Sequence, residues 1–134
     1  MANEVSVRSS LTINNGSLSY SSRPTSYQAD ATGAKGPTPG ALTISTSGTE
    51  IDLTQLTTPG FCRISNLDPS TSNNYVEYGV YVGSTFYALG ELLPGEFVVL
   101  RLYRDMGVAG TDFHTLMLNA VGSTVDCSVE AFEK

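Results

Sequence analysis

The sequence predicts an all-β protein, an antiparallel β-sandwich of jelly-roll-like type. Short runs of β-branched and aromatic residues recur along the chain, and Gly, Pro, Asn and Ser turns separate them about every 8–12 residues, as in sandwiches and barrels. Charged residues make up only 15% of the 134 residues, against roughly 25% in an average soluble domain. No segment shows convincing helical periodicity. The length predicts one domain that spans residues 1–134.

The first predicted strand covers residues 5–13, where apolar and polar residues alternate. Its apolar residues share one side: Val5, Val7, Leu11 and Ile13. A period of two indicates a half-buried strand. Asn and Gly at residues 14–16 predict the turn that follows, because both tolerate positive φ. A weaker strand follows through Leu18 and Tyr20.

Residues 21–40 form the longest segment without clear strand signals. Gly33, Gly36, Pro37, Pro39 and Gly40 interrupt any β ladder there. We therefore expect a flexible, Gly/Pro-rich segment. Because long loops in compact domains are usually functional or flexible, it is either an arm that contacts a neighbouring subunit or a surface loop.

The remaining strands are predicted at residues 41–46, 61–67, 75–82, 85–89, 97–103, 113–120 and 124–132. Residues 75–82 give the clearest strand, because β-branched and aromatic residues dominate it. Gly83 and Ser84 predict a two-residue type II′ hairpin turn, and Pro94 and Gly95 predict a type II turn. We expect these apolar residues in the core: Val5, Val7, Leu42, Ile44, Ile64, Val80, Val98, Leu100, Leu116 and Val129.

The net charge and the cysteines limit which partners and which cellular compartment we expect for the protein. A formal net charge of −6 argues against nucleic-acid binding and against docking on anionic membranes. No apolar run approaches the ~20 residues of a membrane-spanning helix, and no targeting segment is visible. We therefore expect a chain kept in a reducing cytoplasm, with Cys62 and Cys127 as buried free thiols; a disulfide between neighbouring strands is the alternative.

Candidate catalytic groups are few. His114 is the only histidine, and hydrolytic triads and metal sites generally combine histidine with other groups. Glu50 and Asp52 would share one strand face, either as solvated carboxylates or as a pair for a cation or a glycoside. Asp68, before a Ser- and Asn-rich loop, indicates a turn, because the Gly and closing Glu of an EF-hand are missing. We predict no enzyme activity, no metal and no cofactor.

Five aromatic residues crowd the predicted hairpin of residues 75–89: Tyr75, Tyr78, Tyr81, Phe86 and Tyr87. Tyrosine stripes on a sheet stack on sugars or pack at protein interfaces. Sugar-binding modules usually rely on Trp, and this chain has none. We therefore predict that these five residues contribute both to the core and to an interface. Exposed tyrosines beside Glu77 in a concave groove would instead favour sugar binding.

A series of turn motifs runs through residues 41–102. Pro59 and Gly60 lead into the sequence Ile-Ser-Asn-Leu-Asp at residues 64–68, and an aromatic strand follows from Tyr75. The sequence Leu-Leu-Pro-Gly-Glu at residues 92–96 then precedes an apolar strand. This pattern resembles small structural proteins of tailed phages, most of all head decoration (cement) proteins. The resemblance covers a little under half the chain and implies no catalytic residue.

The resemblance implies a non-enzymatic virion protein, made in the host cytoplasm, that binds and stabilises the assembled head. Its implied partners are the major capsid protein or other virion proteins, and further copies of itself. A homotrimer would fit a three-fold site on an icosahedral shell. A phage tail component is the alternative within the same class, and a carbohydrate-binding β-sandwich is the alternative outside it.

Overall fold

A computed structural model describes residues 4–107 and 114–134. The chain divides into two compact units, Met1–Thr32 and Gly33–Lys134. Within the described residues all regular secondary structure is β-strand, and all strand pairs are antiparallel. The prediction of an all-β fold is therefore confirmed.

The first unit contains four strands: β1 (Val5–Ser9), β2 (Thr12–Asn15), β3 (Leu18–Ser21) and β4 (Thr25–Ala29). Because β2 pairs with β3 and β1 pairs with β4, the four strands make one long hairpin, here called the ribbon (residues 5–29). Gly16, at φ +56°, lies in the turn at its tip. The turn residues are Gly16 and Ser17, because Asn14 and Asn15 still pair with Ser19 and Leu18 in the ladder; the turn predicted at residues 14–16 therefore lies further along the chain.

The ribbon changes register halfway along its length. Ser9 pairs with Thr25 and Thr12 pairs with Ser21, so the returning strand has one residue more than the outgoing strand in this step. Ser22 fixes the step, because its backbone N–H donates to the Leu11 carbonyl at 2.8 Å and its Oγ accepts from the Leu11 N–H at 2.8 Å. One extra residue in a strand pair is a β-bulge.

The second unit contains eight strands: β5 (Thr38–Ile44), β6 (Thr49–Glu50), β7 (Pro59–Asn66), β8 (Tyr75–Val82), β9 (Thr85–Leu92), β10 (Phe97–Arg101), β11 (Thr115–Val121) and β12 (Val125–Glu133). They form two four-stranded sheets with the orders β10-β7-β12-β5 and β6-β11-β8-β9. The pairs β5·β12, β6·β11, β7·β10 and β8·β9 nest around the turn between β8 and β9. The chain from β5 to β12 thus forms one long antiparallel hairpin that folds over, so that its successive strand pairs alternate between the two sheets.

The core lies between the two sheets. The first sheet buries residues that include Ile44, Ile64, Val125, Cys127 and Val129, and the second buries Val76, Leu116, Leu118 and Ala120. Four predicted core residues are fully buried, namely Ile44, Ile64, Leu116 and Val129, and four more pack against the core, namely Leu42, Val80, Val98 and Leu100. Placing Val5 and Val7 in this core was wrong, because both lie half-exposed in the ribbon.

Two local predictions differ from the structure. Residues 21–40 contain β4 and the start of β5. Pro39 is compatible with β5 because this is an edge strand, where a missing N–H breaks no ladder. The turn between β8 and β9 has positive φ at both Gly83 (+54°) and Ser84 (+69°). It is therefore of type I′, not type II′.

Ser84 holds an unfavourable backbone conformation, and this gives a first prediction. The left-handed region costs a residue with a Cβ about 1 kcal/mol relative to glycine. We therefore expect Ser84→Gly to raise the free energy of unfolding by about 0.5–1 kcal/mol, as measured by urea denaturation. Ser70→Gly, in an exposed loop, is the matched control and should not stabilise the protein. A Ser84→Gly protein no more stable than the parent would contradict the assignment.

Candidate functional site

The hairpin of β8 and β9 holds all five predicted interface residues, but on two faces. Tyr81 lies opposite Phe86, whereas Val80 lies opposite Tyr87. Opposite residues share a face, and Tyr75 follows the alternation of Tyr81. The outer face therefore carries Tyr75, Tyr81 and Phe86, while Tyr78 and Tyr87 are on the other side. Tyr78 packs against the core, and Tyr87 remains 58% exposed.

A bulge shapes the free edge of this hairpin. Tyr78 pairs with Gly90 and Gly79 pairs with Ala88, so Leu89 is an extra residue in β9. Leu89 is 71% exposed. The ring of Tyr78 fills the space above Gly90, where a Cβ would lie only 2.5 Å from the Tyr78 Oη. Glycine at this position lets an aromatic ring cover the edge strand.

A groove opens between β9 and β10, which are edge strands of different sheets. We call it the seam. Its volume is about 510 Å³, and it is lined by Tyr78, Glu91, Leu92, Gly95, Glu96, Phe97 and Val98. Leu92 is buried, whereas Phe97 is 60% exposed. The seam is thus an open groove at the edge of the sandwich, lined by apolar side chains together with the two acidic residues Glu91 and Glu96.

The tight connection from β9 to β10 fixes the shape of the seam. The Glu96 N–H donates to the Leu93 carbonyl at 2.9 Å, and Gly95 has φ +83°. These features agree with the type II turn expected from the sequence. The Glu96 carboxylate also accepts a hydrogen bond from the Leu93 N–H at 2.8 Å. The buried Asn66 amide holds the end of β9 by donating to the Leu92 carbonyl at 3.0 Å.

The surface around the seam is acidic. Glu77 and Glu91 lie directly opposite each other on β8 and β9, and Asn119 donates a hydrogen bond to the Glu77 carboxylate at 3.1 Å. With Glu96, residues 75–98 hold three carboxylates and no Lys or Arg. Like charges directly opposite each other on a strand pair are destabilising. The β8–β9 side of the seam is therefore acidic, whereas Phe97 on its β10 side carries the guanidinium of Arg63 at 4.9 Å from the ring centre.

Beside the seam, the outer face of the first sheet combines arginines with aromatic rings. The Arg63 guanidinium lies 4.9 Å from the centre of the Phe97 ring, and that of Arg101 lies 5.3 Å from the Phe61 ring. Arg63 also pairs with Glu130 at 3.4 Å. These stacked pairs give the face a mixed aromatic and charged character of the kind enriched in protein interfaces.

The other candidate residues have structural partners. β6 ends at Glu50, so Asp52 lies beyond the strand and accepts hydrogen bonds from the Thr54 hydroxyl (2.6 Å) and N–H (2.9 Å). These bonds lower the pKa of Asp52 below its ordinary value. The Asp68 carboxylate accepts from the Asp126 N–H at 3.0 Å and from the Ser72 hydroxyl at 3.1 Å. Both carboxylates therefore stabilise turns.

His114 and the metal-ligating residue types give no catalytic grouping. The His114 ring meets Tyr103 edge-on at a centroid distance of 6.3 Å. Within residues 4–107 and 114–134, no three His, Cys, Asp or Glu side chains come together in a way that could hold a metal ion. The same residues include no helix with the length and apolar character needed to cross a membrane.

Cys62 and Cys127 are free and buried, as predicted. Cys62 lies opposite Ala131 on β12, so the two cysteines are four residues apart along the ladder. At about 3.3 Å per residue this is roughly 13 Å, well beyond the ~7 Å limit between Cα atoms for a disulfide. Burial, aided by nearby carboxylates, raises the pKa of each thiol to about 12.

These pKa values predict slow alkylation of the folded protein. Cysteine reacts as the thiolate, which stays a small fraction below about pH 12 at both positions. At pH 8 we expect iodoacetamide to modify neither residue in the time that modifies both in 6 M guanidinium, as counted by intact mass. Fast modification of the folded protein, or no modification after denaturation without reductant, would contradict the buried free thiols.

Comparison of the chain with known protein families, curated proteins and solved structures finds no match. The candidate site therefore rests on its own geometry. Sequence reasoning singled out Tyr78 but not Glu91, Glu96 or Phe97. The tight turn between two apolar strands is the sequence signal that could have located the seam, since such a turn can join edge strands of different sheets.

Proposed function

We propose that the protein is a non-enzymatic structural component of a phage virion, a head decoration protein that binds the assembled shell and stabilises it. The observation that carries this proposal is the nested pairing of the eight strands from β5 to β12. We interpret this pairing as a jelly roll, an architecture that recurs in viral capsid domains and in lectins. The turn-motif resemblance to phage decoration proteins supports the same function.

Exposed apolar surface supports a role in assembly. The eight-stranded unit leaves large apolar side chains 42–71% exposed: Leu67, Tyr87, Leu89, Leu93, Phe97, Val99, Tyr103 and Phe132. Contiguous exposed apolar residues mark interaction surfaces on soluble proteins, and Phe97 and Val99 lie on the same exposed face of β10. A protein that binds only the assembled shell stabilises it by mass action, and many symmetric copies add avidity.

Binding to shells tests the proposal. The purified protein should cosediment with shells that lack it, saturate at a copy number set by shell symmetry, and raise the temperature at which the shells rupture. The double variant Tyr81→Ser with Phe86→Ser, which removes an opposed outer-face pair, should bind at least tenfold more weakly. Thr43→Ser, at an exposed position on the outer sheet surface, is the control.

The alternatives give different results in the same assay. Binding to purified tails without binding to shells would assign the protein to the tail and overturn the decoration role. Binding to an immobilised glycan panel without binding to any virion part would favour a carbohydrate-binding sandwich, in which Tyr75 and Tyr81 flank Glu77 on one strand face. Failure to bind shells, tails or glycans would also contradict the proposal.

A further inference from the structure

The two sheets of the eight-stranded unit have four edge strands, and three of these are protected against pairing with another strand. Proteins commonly protect a sheet edge with a proline, a bulge or a very short strand. β5 contains Pro39, β9 contains the extra residue Leu89, and β6 has only two residues. β10 has none of these protections, because its five residues include no proline and pair with β7 without a register shift. Its outer edge therefore keeps the regular geometry that another strand needs.

The backbone of β10 has a row of donors and acceptors along this edge. Just after the strand ends, the Leu102 N–H donates to the Gly60 carbonyl at 2.8 Å. Because the bonding direction alternates along an antiparallel strand, the even-numbered residues of β10 bond to β7. The N–H and C=O groups of Phe97, Val99 and Arg101 therefore point away from β7. In the part of the chain that the structure describes, no strand lies on that side.

The side chains of the same three residues lie on the outer face of the sheet and are exposed. Phe97 is 60% exposed and Val99 is 46% exposed. The Arg101 guanidinium lies 5.3 Å from the centre of the Phe61 ring, and among the described residues no carboxylate forms a salt bridge with it. The edge of β10 thus combines two apolar side chains with a cation that stacks on an aromatic ring.

The sequence of β10 is complementary to itself in the antiparallel direction. A two-fold axis at Val99 is the only two-fold register in which all five residues of β10 pair with β10 of a second copy. Val99 then lies opposite its own equivalent, Phe97 opposite Arg101, and Val98 opposite Leu100, so no like charges face each other. Each outward-pointing residue would donate one hydrogen bond and accept one, which gives about six backbone hydrogen bonds in all.

We propose that two copies of the protein pair through β10, antiparallel about a two-fold axis at Val99. The first sheets of the two copies then join into one continuous sheet with β5 at both ends. Because β5 contains Pro39, its edge does not readily accept a further strand, and assembly stops at the dimer. Such an isologous contact is the commonest kind in homo-oligomers. The pairing does not rest on the proposed function, since a dimer that binds no virion part would overturn only the decoration role.

Charge and aromatic contacts favour a second copy as the occupant of this edge. Opposite residues share a face, so the pairing places Arg101 between Phe61 of its own copy and Phe97 of the second copy. Phe97 already carries the Arg63 guanidinium of its own sheet at 4.9 Å from its ring centre. Arginines and rings therefore alternate across the joined sheet. Contacts of this kind are attractive, and both residue types are enriched in protein interfaces.

The inner face of the pairing covers apolar residues beside the seam. Val98 lines the seam and packs against the core, as Leu100 does on the same strand. In the dimer, Leu100 of the second copy lies opposite Val98. As in other cases where a strand is added to a sheet edge, backbone hydrogen bonds supply much of the affinity. Because the contact is small, we expect a reversible dimer in the micromolar range.

Sedimentation velocity and hydrogen exchange on the full chain test the pairing. We expect a monomer–dimer equilibrium, and amide exchange at Phe97, Val99 and Arg101 should slow as the dimer forms. The amides of Val98 and Leu100 bond to β7 and should stay protected at every concentration. A chain that is monomeric up to about 1 mM, a trimer, or a dimer with unchanged exchange at the three outward-pointing amides would overturn the proposal.

A charge exchange at the two-fold axis tests the register. Val99→Lys and Val99→Glu each place like charges opposite each other, and each variant alone should dimerise roughly tenfold more weakly than the parent. An equimolar mixture places opposite charges at the axis and should recover a 1:1 dimer. Ala41→Lys and Ala41→Glu, at an exposed site on β5, are the matched controls and should leave dimerisation within about twofold. A mixture of the two Val99 variants that stays monomeric would overturn the register.

Proline at the axis tests the backbone hydrogen bonds. Val99→Pro removes an N–H that points away from β7, so no bond within the sheet is lost, and proline is tolerated on edge strands. The variant should keep the circular dichroism spectrum of the parent and should not dimerise. Val99→Thr retains the N–H and a β-branched side chain, and it should dimerise within about threefold of the parent. A folded Val99→Pro chain that dimerises as tightly as Val99→Thr would overturn pairing through β10.

Discussion

Replacing Asn66 with alanine should lower the free energy of unfolding by about 3 kcal/mol. Asn66 is only 2% exposed, at the end of β7. Its side chain donates to the Leu92 carbonyl at 3.0 Å and accepts from the Asp68 N–H at 2.9 Å. Alanine removes both bonds and leaves two backbone groups in or near the core without these partners. Each such buried group costs about 1–3 kcal/mol.

The backbone of Asn66 adds to the expected effect. Its N–H donates to the Glu96 carbonyl at 2.9 Å, and its carbonyl accepts from the Gly95 N–H at 3.1 Å. One residue therefore joins β7, the end of β9 and the turn before β10. Loss of the amide should loosen this turn as well as remove two hydrogen bonds. The Asn66→Ala variant should then also show faster amide hydrogen exchange at Gly95 and Glu96.

Urea denaturation measures the loss in the free energy of unfolding, provided that the variant and the parent have the same m-value. Asn119→Ala is the matched control, because its amide bonds the half-buried carboxylate of Glu77 on the outer face and should cost less than about 1 kcal/mol. If Asn66→Ala and Asn119→Ala lower the free energy of unfolding by the same amount, the buried hydrogen bonds of the Asn66 side chain do not have the stabilising role assigned to them.

The sequence predicts the strands of the sandwich well because their signals are local. Residues 75–82 match β8 at both ends, since dense β-branched and aromatic residues identify that strand without tertiary information. The type II turn at Pro94 and Gly95 is equally local. The alternating burial of β12 also follows from period two, because one side of that strand packs on the core.

Features that depend on distant contacts could not be predicted. Alternation shows that Val5 and Val7 share a side, but it does not show whether a second layer covers that side. The amide of Asn66 resembles any turn-forming side chain until the Leu92 carbonyl, 26 residues away, is brought next to it. The seam likewise depends on which strands become sheet edges, and strand order is not visible in the sequence. The five aromatic residues stay a predicted interface.

Replacing Gly79 with alanine should destabilise the protein by about 2–3 kcal/mol, within the range for overpacked sites. Gly79 is buried in β8 beside the bulge of β9. A Cβ at this position would run into the carbonyl oxygen of Tyr87 and lie 2.9 Å from the Cα of Ala88. These are backbone atoms, so no side-chain rotation relieves the contact, and β9 itself must move.

Gly83→Ala separates this steric effect from backbone conformation. Gly83 has φ +54° and open space around its Cβ position, so alanine should cost only the ~1 kcal/mol of the left-handed region. Gly79 has no such conformation, so its whole cost should come from the contact with β9. Because β9 borders the seam, Gly79→Ala should also shift the amide NMR signals of Tyr87, Ala88 and Glu91, while Gly83→Ala should affect only the turn. Gly79→Ala could instead lower the free energy of unfolding no more than Gly83→Ala does and leave the NMR signals of β9 unchanged. That result would contradict the inference that the close approach of β9 to Gly79 determines the position of this edge strand.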